Sequence, residues 1–388
     1  MHSNFQQRYR PWIAIFALAL SIFTVVSTEM LPIGLLSPIA LSLQTTEGTL
    51  SLMISLPAFV AAIAAPIVLI YFANINRKSL LIGLTLLLLL ANIISAIAPN
   101  LTILLFARFL LGICMGGIWT IAGGLAMRIV APQYAALATS IIFGGVAAAS
   151  VLGIPLGVYL GDLFNWQFAF VSMAILSLII TLLLAWSLPS LPKTHDVQIS
   201  SFIILLKKVD VWLGLGITLF LVTGHFMGYT FVRPLLQMHA GFSDSSIGAL
   251  LLIYGFLGII GNFILGNLAA RYLKSTILII STLLTVSIFL FLWLSSSPSF
   301  SITILLLWGF AYGAVSVSLM TWTFKVSGDH IEPATAIYIA IYNLAIALGS
   351  FVGGKIYDHA GLSTVLLMAG ITACLAVILT VFAKPKTT

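Results

Sequence analysis

The sequence predicts an all-α integral membrane protein, with twelve transmembrane helices in two six-helix bundles. Three observations carry this. Charged residues make up 6% of the 388 and hydrophobic ones 61%, whereas a soluble domain carries roughly 25% charged residues, most of them on its surface. The apolar residues gather into twelve runs, each close to the roughly 20 residues that cross a bilayer core as a helix. Lys and Arg concentrate in alternate loops between those runs. Runs of this length without period-two alternation argue against a transmembrane barrel.

In chain order, the first six runs occupy 12–36, 50–71, 79–97, 101–127, 136–160 and 168–188. Arg8 and Arg10 lead into a stretch containing Ala17-Leu18-Ala19, which begins like a secretory signal. The run continues well past a signal core and further spans follow, so a retained helix is expected. The second set occupies 211–232, 246–270, 276–294, 300–324, 333–356 and 363–382. Between the sets lies the longest polar stretch, with Pro189, Pro192, Lys193, Lys207 and Lys208. The expected organisation is an N-terminal bundle over 1–188, a cytoplasmic linker over 189–210 and a C-terminal bundle over 211–388. A shift of 196 residues places Lys78 on Lys274, Ala149 on Ala345, Gly153 on Gly349 and Gly157 on Gly353. Coincidence among common small residues gives some of these matches, but both lysines close an inner loop just before a helix. Duplicated bundles with a site between them are a transporter arrangement.

With the N-terminus in the cytoplasm, thirteen of the sixteen basic residues lie inside: Arg8, Arg10, Arg77, Lys78, Arg128, Lys193, Lys207, Lys208, Arg271, Lys274, Lys325, Lys384 and Lys386. Arg233 and Lys355 lie outside, and Arg108 lies within a span. One missed or added helix would scramble that split. It therefore supports the count together with two cytoplasmic termini. The acids Asp196, Asp210, Asp329 and Glu332 fall inside, and Glu47, Asp162, Asp244 and Asp358 outside, so they do not discriminate.

Several function classes drop out. The net charge of +7 is scattered over short loops, so no basic face for nucleic acid exists. Cys114 and Cys374 lie far apart inside apolar runs, which excludes a disulfide framework. Cys, His and acidic residues show no metal-site spacing, and no phosphate-binding GxxxxGK[ST] loop occurs. No catalytic constellation is visible, so neither an enzyme nor a cofactor is expected.

Glu29 stands in Ser27-Thr28-Glu29-Met30-Leu31-Pro32, inside the first run. A carboxylate in a bilayer is costly unless it faces a cavity or a partner, and such a group suits proton binding and release. Pro32 has no N–H, frees a carbonyl and is expected to break the helix locally. The alternative is that the run ends early and leaves Glu29 among outer headgroups. Arg108 lies several residues inside the fourth run; a buried arginine stays charged and needs a counter-charge or carbonyls, with Glu29 the candidate partner. Snorkelling to outer headgroups is the alternative for Arg108. Gly112, Gly116 and Trp119 follow on its face, as a packed face requires.

Gly145, Ala149, Gly153 and Gly157 are spaced by four, with Pro155 interrupting the last turns, and Ala345, Gly349 and Gly353 repeat the theme. Sliding helices and static close packing account for these stripes equally. His225, which titrates near neutrality when unperturbed, shares a face with Tyr229. Trp119, Tyr229, Trp322 and Tyr338 are polar-tipped aromatics able to stack on a flat ligand, with bundle core or interfacial belt as the alternative. Asn262 and Asn343 each need a partner within the bundle.

These residues together resemble the major facilitator superfamily in its twelve-helix drug:proton antiporter branch. Thr28-Glu29-Met30 with Gly34-Leu35-Leu36 and Pro38 is similar to the first-helix pattern of its sugar, nucleoside and drug exporters. Arg108 with Gly112 resembles the fourth-helix motif, and Gly153-Ile154-Pro155-Leu156-Gly157 the antiporter motif. A closer likeness is to bacterial purine ribonucleoside efflux pumps. It rests on Ser187-Leu188-Pro189-Ser190-Leu191-Pro192, on Phe231-Val232-Arg233-Pro234 followed by Ala240-Gly241-Phe242, on Thr321-Trp322, and on the ending from Gly353-Gly354 through Asp358 to Gly361-Leu362. Arabinose exporters share much of the first-half pattern.

The resemblance implies the major facilitator fold and outward movement of a small solute in exchange for protons. With the residues read above, the candidates for proton coupling are Glu29, Arg108 and His225, and those for solute contact are Trp119, Tyr229, Asn262, Trp322, Tyr338 and Asn343. Arg77 and Lys78 would form the inner gate, in a monomer whose partners are solute, protons and the lipid bilayer. The chain departs from the family where Leu69, Ala73 and Asn74 replace the usual Gly, Asp and basic residues of the loop between helices two and three. It departs again at Trp166-Gln167, where related exporters have Trp-Arg. An uncoupled carrier, a sugar or multidrug antiporter and a non-transporting scaffold are the competing classes; vesicle transport with and without a pH gradient separates them.

Overall fold

The structure, a computed structural model, describes residues 2–72, 74–191, 199–294, 297–328 and 330–383. Ala73, Pro192, Lys193, Asp196, Asp329, Lys384 and Lys386, used above, lie outside the described residues. Among the described residues, eleven helical stretches are long and apolar enough to cross a bilayer. The last, Ile331–Phe382, is 52 residues long. Straight, it would extend about 78 Å, more than twice a bilayer core. Gly361 breaks it with φ 76° and ψ 173°, a left-handed conformation that only glycine adopts without strain. Two crossings result, which makes twelve among the described residues.

The helices are α1 (His2–Ser42), α2 (Leu52–Tyr71), α3 (Arg77–Ile97), α4 (Leu101–Ile129), α5 (Pro132–Leu163), α6 (Trp166–Ser187), α7 (Val209–Tyr229), α8 (Asp244–Arg271), α9 (Leu273–Leu294), α10 (Pro298–Ser327), α11 (331–360) and α12 (362–382). Short helices Glu47–Leu50 and Ile199–Leu206 precede α2 and α7. Asparagines set three starts. The Asn76, Asn100 and Asn165 side chains accept from the backbone N–H of Lys78, Ile103 and Phe168 at 2.9, 3.0 and 3.0 Å. Each satisfies a donor the first turn would otherwise leave unpaired.

Small residues decide which helices touch. A Cβ added at Gly153 would lie 2.6 Å from the Ser27 hydroxyl, and Gly145 and Gly157 meet Ala19 and Leu31, so α5 lies along α1. Gly349 and Gly353 meet Thr223 and Met227, so α11 lies along α7 in the same way. Gly112 and Gly116 bring α4 onto α2, and Gly261 and Gly313 bring α8 onto α10. Asn92 joins α3 to Ser177 of α6, and Lys274 joins α9 to the Val381 carbonyl of α12. Each of these first-half pairings recurs six helices later, which defines the two bundles. The halves meet where α2 faces α11 and α5 faces α8. Large apolar side chains such as Phe16, Leu90, Phe263 and Ile378 face outward around the circumference, as a lipid environment requires.

Two details differ from the sequence expectation. The first helix runs six residues past Leu36 to Ser42, and it continues unbroken through Pro32 and Pro38. A helix tolerates proline when another group takes the freed carbonyl, and both carbonyls are taken, as described below. In α5 the strain falls at Ala149–Gly153, one turn of wider π-helical winding just before Pro155.

Candidate solute and proton site

Because α1 extends to Ser42, Glu29 lies about 20 Å from its C-terminal end. The residue is 4% exposed and its Oε1 has no hydrogen-bond partner. That removes the headgroup position. Arg108 on α4 is fully buried, which likewise removes snorkelling. Its Nη1 donates to the Thr28 carbonyl at 2.8 Å, and its guanidinium lies 4.7 Å from the centre of the Phe170 ring. Thr28 is four residues before Pro32, so its carbonyl is the one the proline frees. Arg108 and Glu29 act on each other electrostatically without an ion pair, and Arg108 Nε and Nη2 remain unpartnered. The Ser27 and Thr28 hydroxyls and the Trp166 indole N–H are also buried and unpartnered. The first half thus concentrates unsatisfied polar groups around one carboxylate and one guanidinium.

His225 occupies the related place on α7 and is fully buried. Trp308 Nε1 donates to its Nδ1 at 2.9 Å, and its Nε2 is unpartnered. Tyr312 stacks on the imidazole at 3.5 Å and 7°, and Tyr229 at 5.0 Å and 22°. Tyr254 continues the stack on Tyr229 at 4.8 Å and 22°. The Tyr312 and Tyr342 hydroxyls pair at 2.9 Å, Ser316 donates to Tyr342, and Tyr338 donates to the Ser316 carbonyl at 3.2 Å.

The structure brings Glu29, Arg108, His225, Tyr229 and Tyr338 into this central region and leaves other predicted residues apart. Trp322 is buried in the second bundle, with its indole donating to the Asp210 carbonyl near the linker. Asn343 satisfies its amide on the Ile339 carbonyl of its own helix. Trp119 is half-buried beside Phe143 of α5, and Asn262 is half-buried on α8. Arg77 begins α3, is buried and donates to the Phe72 carbonyl, while the Lys78 backbone N–H donates to the Asn76 side chain.

A second cluster, which the sequence reading placed only as outer-loop charges, seals the side away from the termini. Arg233 is 2% exposed. Its Nη1 donates to the Gly34 carbonyl at 2.6 Å, and its Nη2 meets Asp244 at 2.8 Å and Asp162 at 3.7 Å. Gly34 is four residues before Pro38, so this carbonyl too is proline-freed. Gln237 donates to Asp244, and Ser37 and Tyr357 both donate to Glu47. Thr46 and Thr49 donate to Asp358 at 2.8 and 3.2 Å. Asp162, Gly34, Thr46, Glu47 and Thr49 belong to the first half, and Arg233, Tyr357 and Asp358 to the second.

Two similar bundles, a cluster of buried polar groups in each and a charged seal that joins them at one end define a secondary membrane transporter. The Major Facilitator Superfamily sequence profile matches residues 18–333. The chain is 30% identical over 378 residues to the purine ribonucleoside efflux pump NepI of Shigella sonnei (strain Ss046), covering 97% of this chain and 95% of that one. Its fold matches the crystal structure of a bacterial homolog of the human lysosomal transporter Spinster in an inward-facing, unoccupied conformation, with TM-score 0.74, 14% identity and 96% of each chain covered. It also matches the human organic anion transporter MFSD10 (TETRAN), with TM-score 0.68, 18% identity, and 96% of this chain and 99% of that one covered. The chain belongs to the major facilitator superfamily, with the topology of its drug:proton antiporter branch. It is a multi-pass membrane transporter and not an enzyme.

Proposed function

We propose that this protein exports purine ribonucleosides in exchange for protons, by alternating access, from the bacterial cytoplasm across the inner membrane. The observation that carries the coupling is Glu29, a buried, incompletely partnered carboxylate on α1, next in sequence to the Thr28 carbonyl that holds the buried Arg108 guanidinium. The substrate reading is supported by the full-length similarity to a purine ribonucleoside efflux pump and by aromatic rings suited to a flat base. The orientation is supported by the distribution of Lys and Arg, which puts both termini in the cytoplasm.

In this mechanism the carrier, sealed outside, loads solute from the cytoplasm. Reorientation exposes Glu29 to the outer solution, where a proton neutralises it and solute leaves. The neutral carboxyl lowers the cost of closing the interface around it, and the proton is released inside. The protein works as a monomer, because each chain holds both halves of the site. The test is transport in vesicles reconstituted with the full chain. Adenosine should move against its gradient when a proton gradient is imposed and only equilibrate without one. Identical accumulation in both conditions would overturn the coupling.

A further inference from the structure

We propose that His225 serves as a fixed hydrogen-bond donor to the base of the solute, through Nε2–H, and that it is not a carrier of the exchanged proton. This rests on the nucleoside reading above and assigns the group that reads the base. An indole N–H can only donate, so the Trp308 bond at 2.9 Å makes His225 Nδ1 an acceptor. A neutral imidazole with Nδ1 accepting carries its hydrogen on Nε2. A second proton would have to enter at Nδ1, where it would point at the Trp308 N–H and break that bond. Tyr312 and Tyr229 stack on the ring at 7° and 22°, and Phe226 and Trp308 meet it edge-on. The ring is therefore fixed in orientation as well as in tautomer.

What remains is a buried donor, Nε2–H, with no acceptor. A buried donor of this kind is costly unless a ligand or water completes it. The Tyr254 hydroxyl, at the far end of the same ring stack, is a second buried group without a partner. Near-parallel rings carrying two free polar atoms fit a planar heteroaromatic with an acceptor in its ring edge. Ribose and other sugars offer no such plane. The second half thus recognises the base, and Glu29 in the first half is left to carry the proton.

The experiment measures binding of adenosine and of its 1-, 3- and 7-deaza analogues to the purified full-length carrier. Each analogue replaces one ring nitrogen acceptor by C–H. Loss of a bond to a buried donor weakens binding by about tenfold or more, so one analogue should bind about tenfold more weakly than adenosine. His225→Asn keeps an acceptor for Trp308 and removes the distal donor. In that variant the same analogue and adenosine should bind within about twofold of each other. Nitrogen-15 spectra of histidine-labelled unmodified carrier give a readout independent of any variant's folding. The ring should be neutral with its proton on Nε2, and the Nε2 signal should shift when adenosine binds.

Equal binding of all three analogues and adenosine to the unmodified carrier overturns the assignment, and so does undiminished discrimination in His225→Asn. A ring protonated at Nδ1, or at both nitrogens, also overturns it. Absence of adenosine binding overturns the nucleoside reading and this assignment with it. Adenosine that binds but is not discriminated from its analogues overturns this assignment alone.

Discussion

Replacing Arg233 by Met should shift the carrier from the externally sealed state toward an externally open one. The methionine fills most of the space and removes the donor. Asp162 and Asp244 are 34% and 64% exposed at their side chains, so water takes over their solvation, and the exposed pair with Asp162 is worth at most about 1 kcal/mol. The buried Gly34 carbonyl has no such recourse while the seal is closed. Losing its charged donor costs about 2 kcal/mol. The sealed state is therefore destabilised by about 3 kcal/mol, which changes the ratio of the two states by about 150-fold. A sealed population of 99 in 100 would become a minority. Pro38→Ala supplies the N–H that α1 lacks at that position and lets the helix reclaim the Gly34 carbonyl, so it should shift the ratio the same way by a smaller amount. The assay is spin-label distance measurement between Phe164→Cys and Phe300→Cys, on exposed outer ends of the two halves, with Cys114 and Cys374 replaced. Longer distances are expected in both variants. Unchanged distance distributions in Arg233→Met would refute the reasoning.

Glu29→Gln should bind adenosine and exchange it across the membrane, yet no longer drive proton flux when solute moves; flux equal to that of the unmodified carrier would sink the coupling role. Tyr229→Ala should weaken solute binding by about tenfold, and Tyr229→Phe by much less, because the ring supplies the stacking area. Gly153→Val should lower the thermal midpoint, since its Cβ would crowd the Ser27 hydroxyl and separate α5 from α1. A reporter fused after Thr388 should be active only in the cytoplasm.

The architecture was legible because bilayer thickness, helix rise and loop charge act on the sequence directly. The central pairings were legible in part. Glu29 and Arg108 stand out as charges in apolar runs, and their mutual approach follows from comparable depth. The stack of Tyr312 on His225 is different in kind. Periodicity fixes which residues share one helix face, but Trp308, Tyr312 and Tyr254 meet α7 only through the packing of α8 and α10. Trp322 shows the converse, since an indole in an apolar run reads the same whether it faces a solute or, as here, the Asp210 carbonyl. Arg233 hid as a loop charge beside Pro234. The available signal was Pro38, because a proline deep in a membrane helix announces a carbonyl in need of a donor.

Pro32 and Pro38 stand six residues apart on α1, and six steps of about 100° turn the helix to about 120° short of two full turns. The two freed carbonyls consequently point in directions about a third of a turn apart. One is held by Arg108 within its own bundle, and the other by Arg233 across the interface. The spacing thus acts as a phase setting. Deleting or inserting one residue between the prolines would rotate the second carbonyl by about 100° relative to the first, so that no single orientation of α1 could serve both arginines. This stretch should therefore accept changes of side chain far more readily than changes of length.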